Sequence, residues 1–94
     1  MKKLTLFYLE HCPYCRNARL ALEELREERP AYRDIPVDWI EESKVTDLEG
    51  DYNYYYVPTI YCGDRKIYEA SPGDDYPVIR KHVRAALDAA LAGP

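Results

Sequence analysis

Two cysteines near the start of the chain are the residues best suited to chemistry. Cys12 and Cys15 form a Cys-Pro-Tyr-Cys motif, in which two thiols are separated by two residues. With this spacing, one thiol can attack a substrate disulfide and the other can displace the reduced product. In a reducing compartment such a pair is more often catalytic or metal-binding than structural. The motif therefore predicts thiol–disulfide exchange, with zinc binding as an alternative.

A zinc site would need two further ligands beside the cysteine pair. The candidates are Cys62, His11 and His82. His11 adjoins Cys12 and His82 falls in a predicted helix, so the sequence contains no second paired motif. We therefore predict redox chemistry, with no metal and no other cofactor.

The elements around the motif explain which thiol attacks. Leu4 to Leu9 is a short apolar and aromatic run typical of a buried strand, and an apolar stripe predicts a helix from about Cys15 to Glu28. Cys12 then precedes the free N–H groups of a helix start, where a negative charge is stabilised. Sites of this kind lower the pKa of a cysteine thiol to roughly 3.5–7.5. Cys12 is therefore the predicted nucleophile and Cys15 the resolving thiol, with Pro13 fixing the backbone between them.

The remaining sequence predicts one α/β domain over residues 1–94 with the order β-α-β-α-β-β-α. The later elements are predicted as a strand over Tyr32 to Val37, a helix from Trp39 to about Glu49, strands over Tyr54 to Cys62 and Lys66 to Ala70, and a last helix with an apolar stripe from Ile79 to Leu91. A βαβ unit followed by a hairpin and a helix gives a four-stranded mixed sheet with helices on both faces.

The third predicted strand begins with an unusual run of tyrosines. Because successive side chains of a strand alternate between faces, Tyr54 and Tyr56 are expected on one face and Tyr55 on the other. We predict that these rings pack the strand. An aromatic binding surface beside the cysteines is the alternative.

Composition limits the partners. The net charge is −4, whereas nucleic acids and anionic membranes usually require a basic surface, so we predict neither as a partner. No run approaches the roughly 20 apolar residues of a membrane span, and Leu4 to Leu9 is shorter than the core of a signal peptide. We expect a cytoplasmic monomer.

The chain resembles a glutaredoxin. Cys12-Pro13-Tyr14-Cys15 matches the dithiol motif of that family, and Val57-Pro58-Thr59 matches the family's second sequence motif. The resemblance implies a thioredoxin-like fold of glutaredoxin type, a cis peptide bond before Pro58, and a Val57 backbone that binds the substrate thiol peptide. It also implies substrate-binding roles for Tyr14, Val57, Pro58 and Thr59.

Several positions depart from the glutaredoxin pattern. Leu9 stands where the family usually carries lysine, and Lys44 is the one candidate cation near the second helix, because residues 45–64 contain no Lys or Arg. Residues 71–75 read Ser-Pro-Gly-Asp-Asp, where the family commonly has a glycine pair. Since binding a carboxylate depends on cations and N–H donors, we predict that the chain reduces disulfide-containing proteins or uses a low-molecular-weight thiol other than glutathione. Glutathione stays open as a partner.

Two other functions remain possible on this fold. A glutaredoxin-like chain could carry an iron–sulfur cluster between two subunits, with Cys12 and glutathione as ligands. It could also be a non-catalytic binding module. The intact cysteine pair favours the oxidoreductase, because a binding scaffold does not need two thiols at this spacing.

Overall fold

A computed structural model describes residues 1–44, 54 and 56–93. Its elements are β1 (Leu4–Tyr8), α1 (Pro13–Glu28), α2 (Pro30–Arg33), β2 (Val37–Glu41), a 3-10 turn (Glu42–Lys44), β3 (Thr59–Cys62), β4 (Arg65–Glu69) and α3 (Tyr76–Ala92). The strands form one mixed sheet in the order β2-β1-β3-β4. β1 pairs with β2 in parallel and with β3 in antiparallel orientation, and β3 pairs with β4 as an antiparallel hairpin. The predicted four-stranded mixed sheet is confirmed.

The main core lies between one face of the sheet and helices α1 and α3. Leu4 and Leu6 of β1 and Ile60 of β3 point to this face, because alternate strand residues share a side. The apolar stripes of both helices cover it, as predicted, and their buried members are Ala18, Ala21, Leu22, Leu25, Ile79, Val83, Ala86, Leu87 and Ala90. This packing fixes the start of α1, and therefore the cysteine motif, against the end of β1.

The opposite face of the sheet is lined by aromatic rings. Phe7 of β1 is buried, stacks on Tyr54 at a ring-centroid distance of 4.9 Å and meets Tyr61 of β3 edge-on at 6.1 Å. The second predicted helix ran from Trp39 to about Glu49, and residues 45–49 lie outside the described part of the chain. The described helices α1 and α3 pack on the same face.

The second strand is shifted from its predicted position. Tyr32 does not lie in a strand, because Pro30 occupies the first position of α2, where its missing N–H is not needed. The buried Tyr32 hydroxyl donates a hydrogen bond to Asp88 of α3 at 2.5 Å. The chain then joins the sheet at Val37, which pairs with Leu4. The prediction of a strand over Tyr32 to Val37 was therefore wrong.

Trp39 lies in β2 and not in a helix, which corrects the predicted start of the second helix. Its ring meets Tyr8 of the neighbouring strand edge-on at 5.8 Å, and the Arg19 guanidinium lies 4.9 Å from its centroid. These contacts form across the sheet and to α1, so local periodicity did not reveal them.

The third strand begins at Thr59, five residues later than predicted. Tyr54 and Tyr56 do not share a face of a strand: the Tyr54 ring packs on Phe7, whereas Tyr56 is 53% exposed. The cause is the turn at residues 56–58, which precedes the strand and breaks the alternation. Tyr55 lies outside the described residues.

Candidate active site

Cys12 is the N-cap residue of α1. Its backbone is extended, with φ −92° and ψ 121°, and its Sγ accepts the backbone N–H of Cys15 at 3.4 Å. Its carbonyl begins the helix by accepting the Arg16 N–H at 3.0 Å. Pro13 occupies the first helical turn, where no N–H is required. The sulfur of Cys12 is therefore half-exposed at the positive end of a 16-residue helix, as the sequence predicted.

Cys15 lies beneath Cys12 and is only 4% exposed. Its Sγ accepts the Leu9 N–H at 3.4 Å, which ties it to the end of the first strand. Burial raises the pKa of the Cys15 thiol to about 12, and the hydrogen bond and charge of Cys12 and the charge of Glu42 act in the same direction. The Leu9 N–H opposes them. Cys15 therefore retains its proton at neutral pH as long as Cys12 is not part of a disulfide.

The peptide bond between Val57 and Pro58 is cis, and it lies next to the cysteine pair. The Val57 carbonyl oxygen is 3.9 Å from the Sγ of Cys12. Pro58 is buried, and its carbonyl accepts the Ala70 N–H at 3.0 Å, which anchors the turn to the end of β4. Cys12 and Val57 are 45 residues apart in the sequence, so the fold brings the cysteine motif and the Val57-Pro58-Thr59 motif together.

Thr59 supports this turn from below. Its side chain is fully buried, and its hydroxyl donates to the Tyr56 carbonyl at 2.5 Å. In this arrangement the hydroxyl is used within the chain. A substrate-binding role for Thr59, predicted from the resemblance, would therefore have to use its backbone.

The side chain of Tyr14 reaches the loop before α3. Its half-buried side chain carries a hydroxyl that accepts the Gly73 N–H at 2.9 Å. Gly73 was not singled out for the site by sequence reasoning. Its φ of +95° is a conformation that favours glycine, and the Pro-Gly pair at this position was the available signal.

A groove of about 350 Å³ adjoins Cys12 on the side of β2. Its described lining consists of Leu9, Glu10, His11, Cys12, Glu41 and Ser43. Glu41, which sequence reasoning did not single out, is buried at the end of β2, and its carboxylate accepts the Ser43 N–H at 3.1 Å and the Ser43 hydroxyl. On the helix side, Arg16 lines a smaller cavity of about 190 Å³ that also touches Cys12. The side chain of Lys44 lies outside the described part of the chain.

The predicted alternative ligands for zinc are distributed over the fold. Cys62 is buried in β3, and the His82 ring stacks on Tyr68 at 4.5 Å. Within the described residues, no three His, Cys, Asp or Glu side chains are placed to hold a metal ion. Nor does any helix in the described ranges have the length and apolar character to cross a membrane.

The fold and the site together define a thioredoxin-like α/β protein: a mixed four-stranded sheet carries a cysteine pair at a helix start, opposite a cis-proline turn. Comparison with family models refines this class. Residues 6–72 match the N-terminal domain of glutathione S-transferase, and the chain belongs to that family. A search among curated proteins found no match. The matched region contains both the cysteine motif and Val57-Pro58-Thr59.

Proposed function

We propose that this chain is a thiol–disulfide oxidoreductase that reduces disulfides through Cys12 and Cys15. The observation that supports this most strongly is the position of Cys12. Its sulfur is accessible at the start of α1 and accepts the Cys15 N–H, while the second thiol is buried one turn away. A thiolate is the attacking species in disulfide exchange, and a helix start favours a thiolate.

The reaction runs in two exchanges. The Cys12 thiolate attacks one sulfur of the substrate disulfide, forms a mixed disulfide and releases the first substrate thiolate, which takes a proton from water. Cys15 then loses its proton to water, and its thiolate attacks the Cys12 sulfur. The second substrate thiolate leaves and is protonated in turn, so the substrate gains two electrons and two protons and the protein keeps a Cys12–Cys15 disulfide. A cellular thiol reductant returns the pair to the dithiol.

The environment of Cys15 explains why the two exchange steps occur in this order. Part of the increase in the pKa of Cys15 comes from Cys12, through its hydrogen bond and its charge. Both contributions disappear when Cys12 enters a mixed disulfide, because its sulfur then has no charge. Cys15 becomes easier to deprotonate at the step at which it must attack.

The backbone of Val57 is the part of the site that would pair with a substrate polypeptide. Because the Val57 carbonyl lies 3.9 Å from the Cys12 sulfur, a polypeptide that pairs with this backbone would place its disulfide next to the nucleophile. We propose as substrate a disulfide-containing protein or the disulfide of a low-molecular-weight thiol, and a cytoplasmic monomer as the working form.

The family match favours glutathione as the reductant. The groove beside Cys12 argues against this choice, because its described lining holds Leu9 and the acidic residues Glu10 and Glu41 and contains no Lys or Arg to bind an anionic tripeptide. Glutathione therefore enters the proposal as the second candidate reductant.

The test uses the full chain with bis(2-hydroxyethyl) disulfide as substrate and dithiothreitol as reductant, and turnover is the rate above that of the reaction without protein. This excess rate should be abolished in Cys12→Ser. When the substrate is added without dithiothreitol, Cys15→Ser should accumulate a mixed disulfide on Cys12, detected by mass. Cys62→Ser is the matched control and should keep its activity, since Cys62 is buried in β3. Full activity of Cys12→Ser would overturn the proposal, and trapping of Cys12 by glutathione disulfide would assign glutathione as partner.

A further inference from the structure

Three contacts link separate segments into a closed frame beside Cys12. They are the Cys12 Sγ with the Val57 carbonyl (3.9 Å), the Ala70 N–H with the Pro58 carbonyl (3.0 Å) and the Gly73 N–H with the Tyr14 hydroxyl (2.9 Å). Because Tyr14 lies two residues from Cys12 in the first turn of α1, the third contact connects the loop back to the segment that carries Cys12. The first turn of α1, the cis-proline turn and the loop after β4 are thereby connected.

The loop is held in place independently of Tyr14. The Asp74 carboxylate accepts the Ser71 N–H at 3.0 Å and the Tyr68 hydroxyl at 2.7 Å. The positive φ of Gly73 is a conformation that other residues rarely adopt. The direction of the Gly73 N–H is therefore set by the loop itself, and the Tyr14 hydroxyl is the element that closes the frame.

We propose that Tyr14 is a positioning residue that determines specificity for polypeptide disulfides. The hydrogen bond between Ala70 and Pro58 already ties the loop to the cis-proline turn, and the hydrogen bond between Tyr14 and Gly73 joins both to the first turn of α1. The residues flanking the substrate disulfide lie on the surface formed in this way. This inference rests on the proposed function.

The surface fits a polypeptide better than a small thiol compound. Val57 offers a backbone edge, and Tyr56 beside it is 53% exposed, a residue type enriched in protein interfaces. A small disulfide needs only the sulfur of Cys12. The loop contact should therefore affect reduction of a polypeptide disulfide more strongly than reduction of a small disulfide.

The experiment compares Tyr14→Phe with Tyr14→Ala on two substrates. One is a synthetic peptide with a single internal disulfide, and the other is bis(2-hydroxyethyl) disulfide. Tyr14→Phe should raise KM for the peptide about two- to tenfold, the range that one hydrogen bond supports, and this rise should exceed both its effect on kcat and its effect on KM for the small disulfide. If the ring alone mattered, Tyr14→Phe would match the wild-type chain and only Tyr14→Ala would lose affinity, which would overturn the inference.

Tyr32→Phe is the matched control. It also removes a hydroxyl with a hydrogen bond, to Asp88, but at the contact between α2 and α3. It should lower the free energy of unfolding and leave KM for the peptide unchanged. An equal rise in KM in this control would attribute the effect of Tyr14→Phe to general loss of stability and overturn the inference.

Gly73→Ala tests the other end of the contact, because alanine disfavours the backbone conformation that aims the N–H at Tyr14. The two changes should not be additive: Gly73→Ala should add little to KM in the Tyr14→Phe background. Full additivity would contradict the proposed contact. If the wild-type chain reduces neither substrate, the proposed function itself fails; if it reduces both and Tyr14→Phe has an unchanged KM, only this inference fails.

Discussion

The two thiols of the motif should differ strongly in their rate of alkylation. The structure raises the pKa of Cys15 from an ordinary value of 9.0 to about 12, and the difference of three units means about a thousandfold less thiolate at neutral pH. Cys12 contributes part of this increase, so a chain without Cys12 should keep the part due to burial. We expect Cys15 as the sole thiol to react more slowly than Cys12 as the sole thiol, by up to about a thousandfold, since only thiolates react.

The assay uses two single-thiol chains, Cys12→Ser with Cys62→Ala and Cys15→Ser with Cys62→Ala. Each is treated with iodoacetamide at pH 7.5, and the fraction alkylated is followed by mass. The same chains unfolded in urea provide the reference, because burial is lost and both thiols should then react at similar rates. Alkylation of folded Cys15 as fast as Cys12, or a rate that stops rising with pH near pH 9, would refute the reasoning about burial.

Three further predictions concern stability and specificity. The free energy of unfolding should fall as pH rises from about 9 toward 12. Burial raises the pKa of Cys15 and of Tyr76 to about 12, so the folded chain holds protons that the unfolded chain releases. Urea titrations at several pH values would measure this fall, and constant stability would contradict it. Asp75→Ala should lower the free energy of unfolding by about 1 kcal/mol, because the Asp75 carboxylate caps α3, whereas Asp75→Asn should cost less in the same urea titration; equal losses in the two variants would contradict a capping role. Leu9→Lys should raise the rate with glutathione disulfide about two- to fivefold, because it adds a cation to the groove. Leu20→Lys, at an exposed position elsewhere on α1, should not raise this rate. Equal rates in both variants would contradict the idea that the lack of a cation in the groove limits the reaction with glutathione disulfide.

The first third of the fold was predictable from sequence because its signals are local. The stripe of α1 repeats at helical spacing, and Cys12 and Pro13 mark the start of the helix, so the position of Cys12 at the helix start followed directly. The same holds for α3, where the predicted apolar stripe is buried apart from the half-buried Leu91.

The second third was mispredicted because its structure depends on distant partners. Tyr32 looks like a strand residue, yet its place is set by Asp88, 56 residues away. Trp39 lies in β2 because that strand pairs with β1 and its ring meets Tyr8. The contact between Tyr14 and Gly73 was missed for the same reason, since 59 residues separate the two groups.

The outer strands of the described sheet also affect self-association. A chain that offers backbone to an extended polypeptide risks binding copies of itself in the same way. Here β2 carries Asp38, paired with Lys3 at 2.8 Å, and β4 carries Lys66, paired with Glu69 at 2.8 Å. Charged side chains on outer strands oppose the addition of another strand, because they would lose water on pairing. Both outer strands of the described sheet therefore carry charges that disfavour the addition of a further strand.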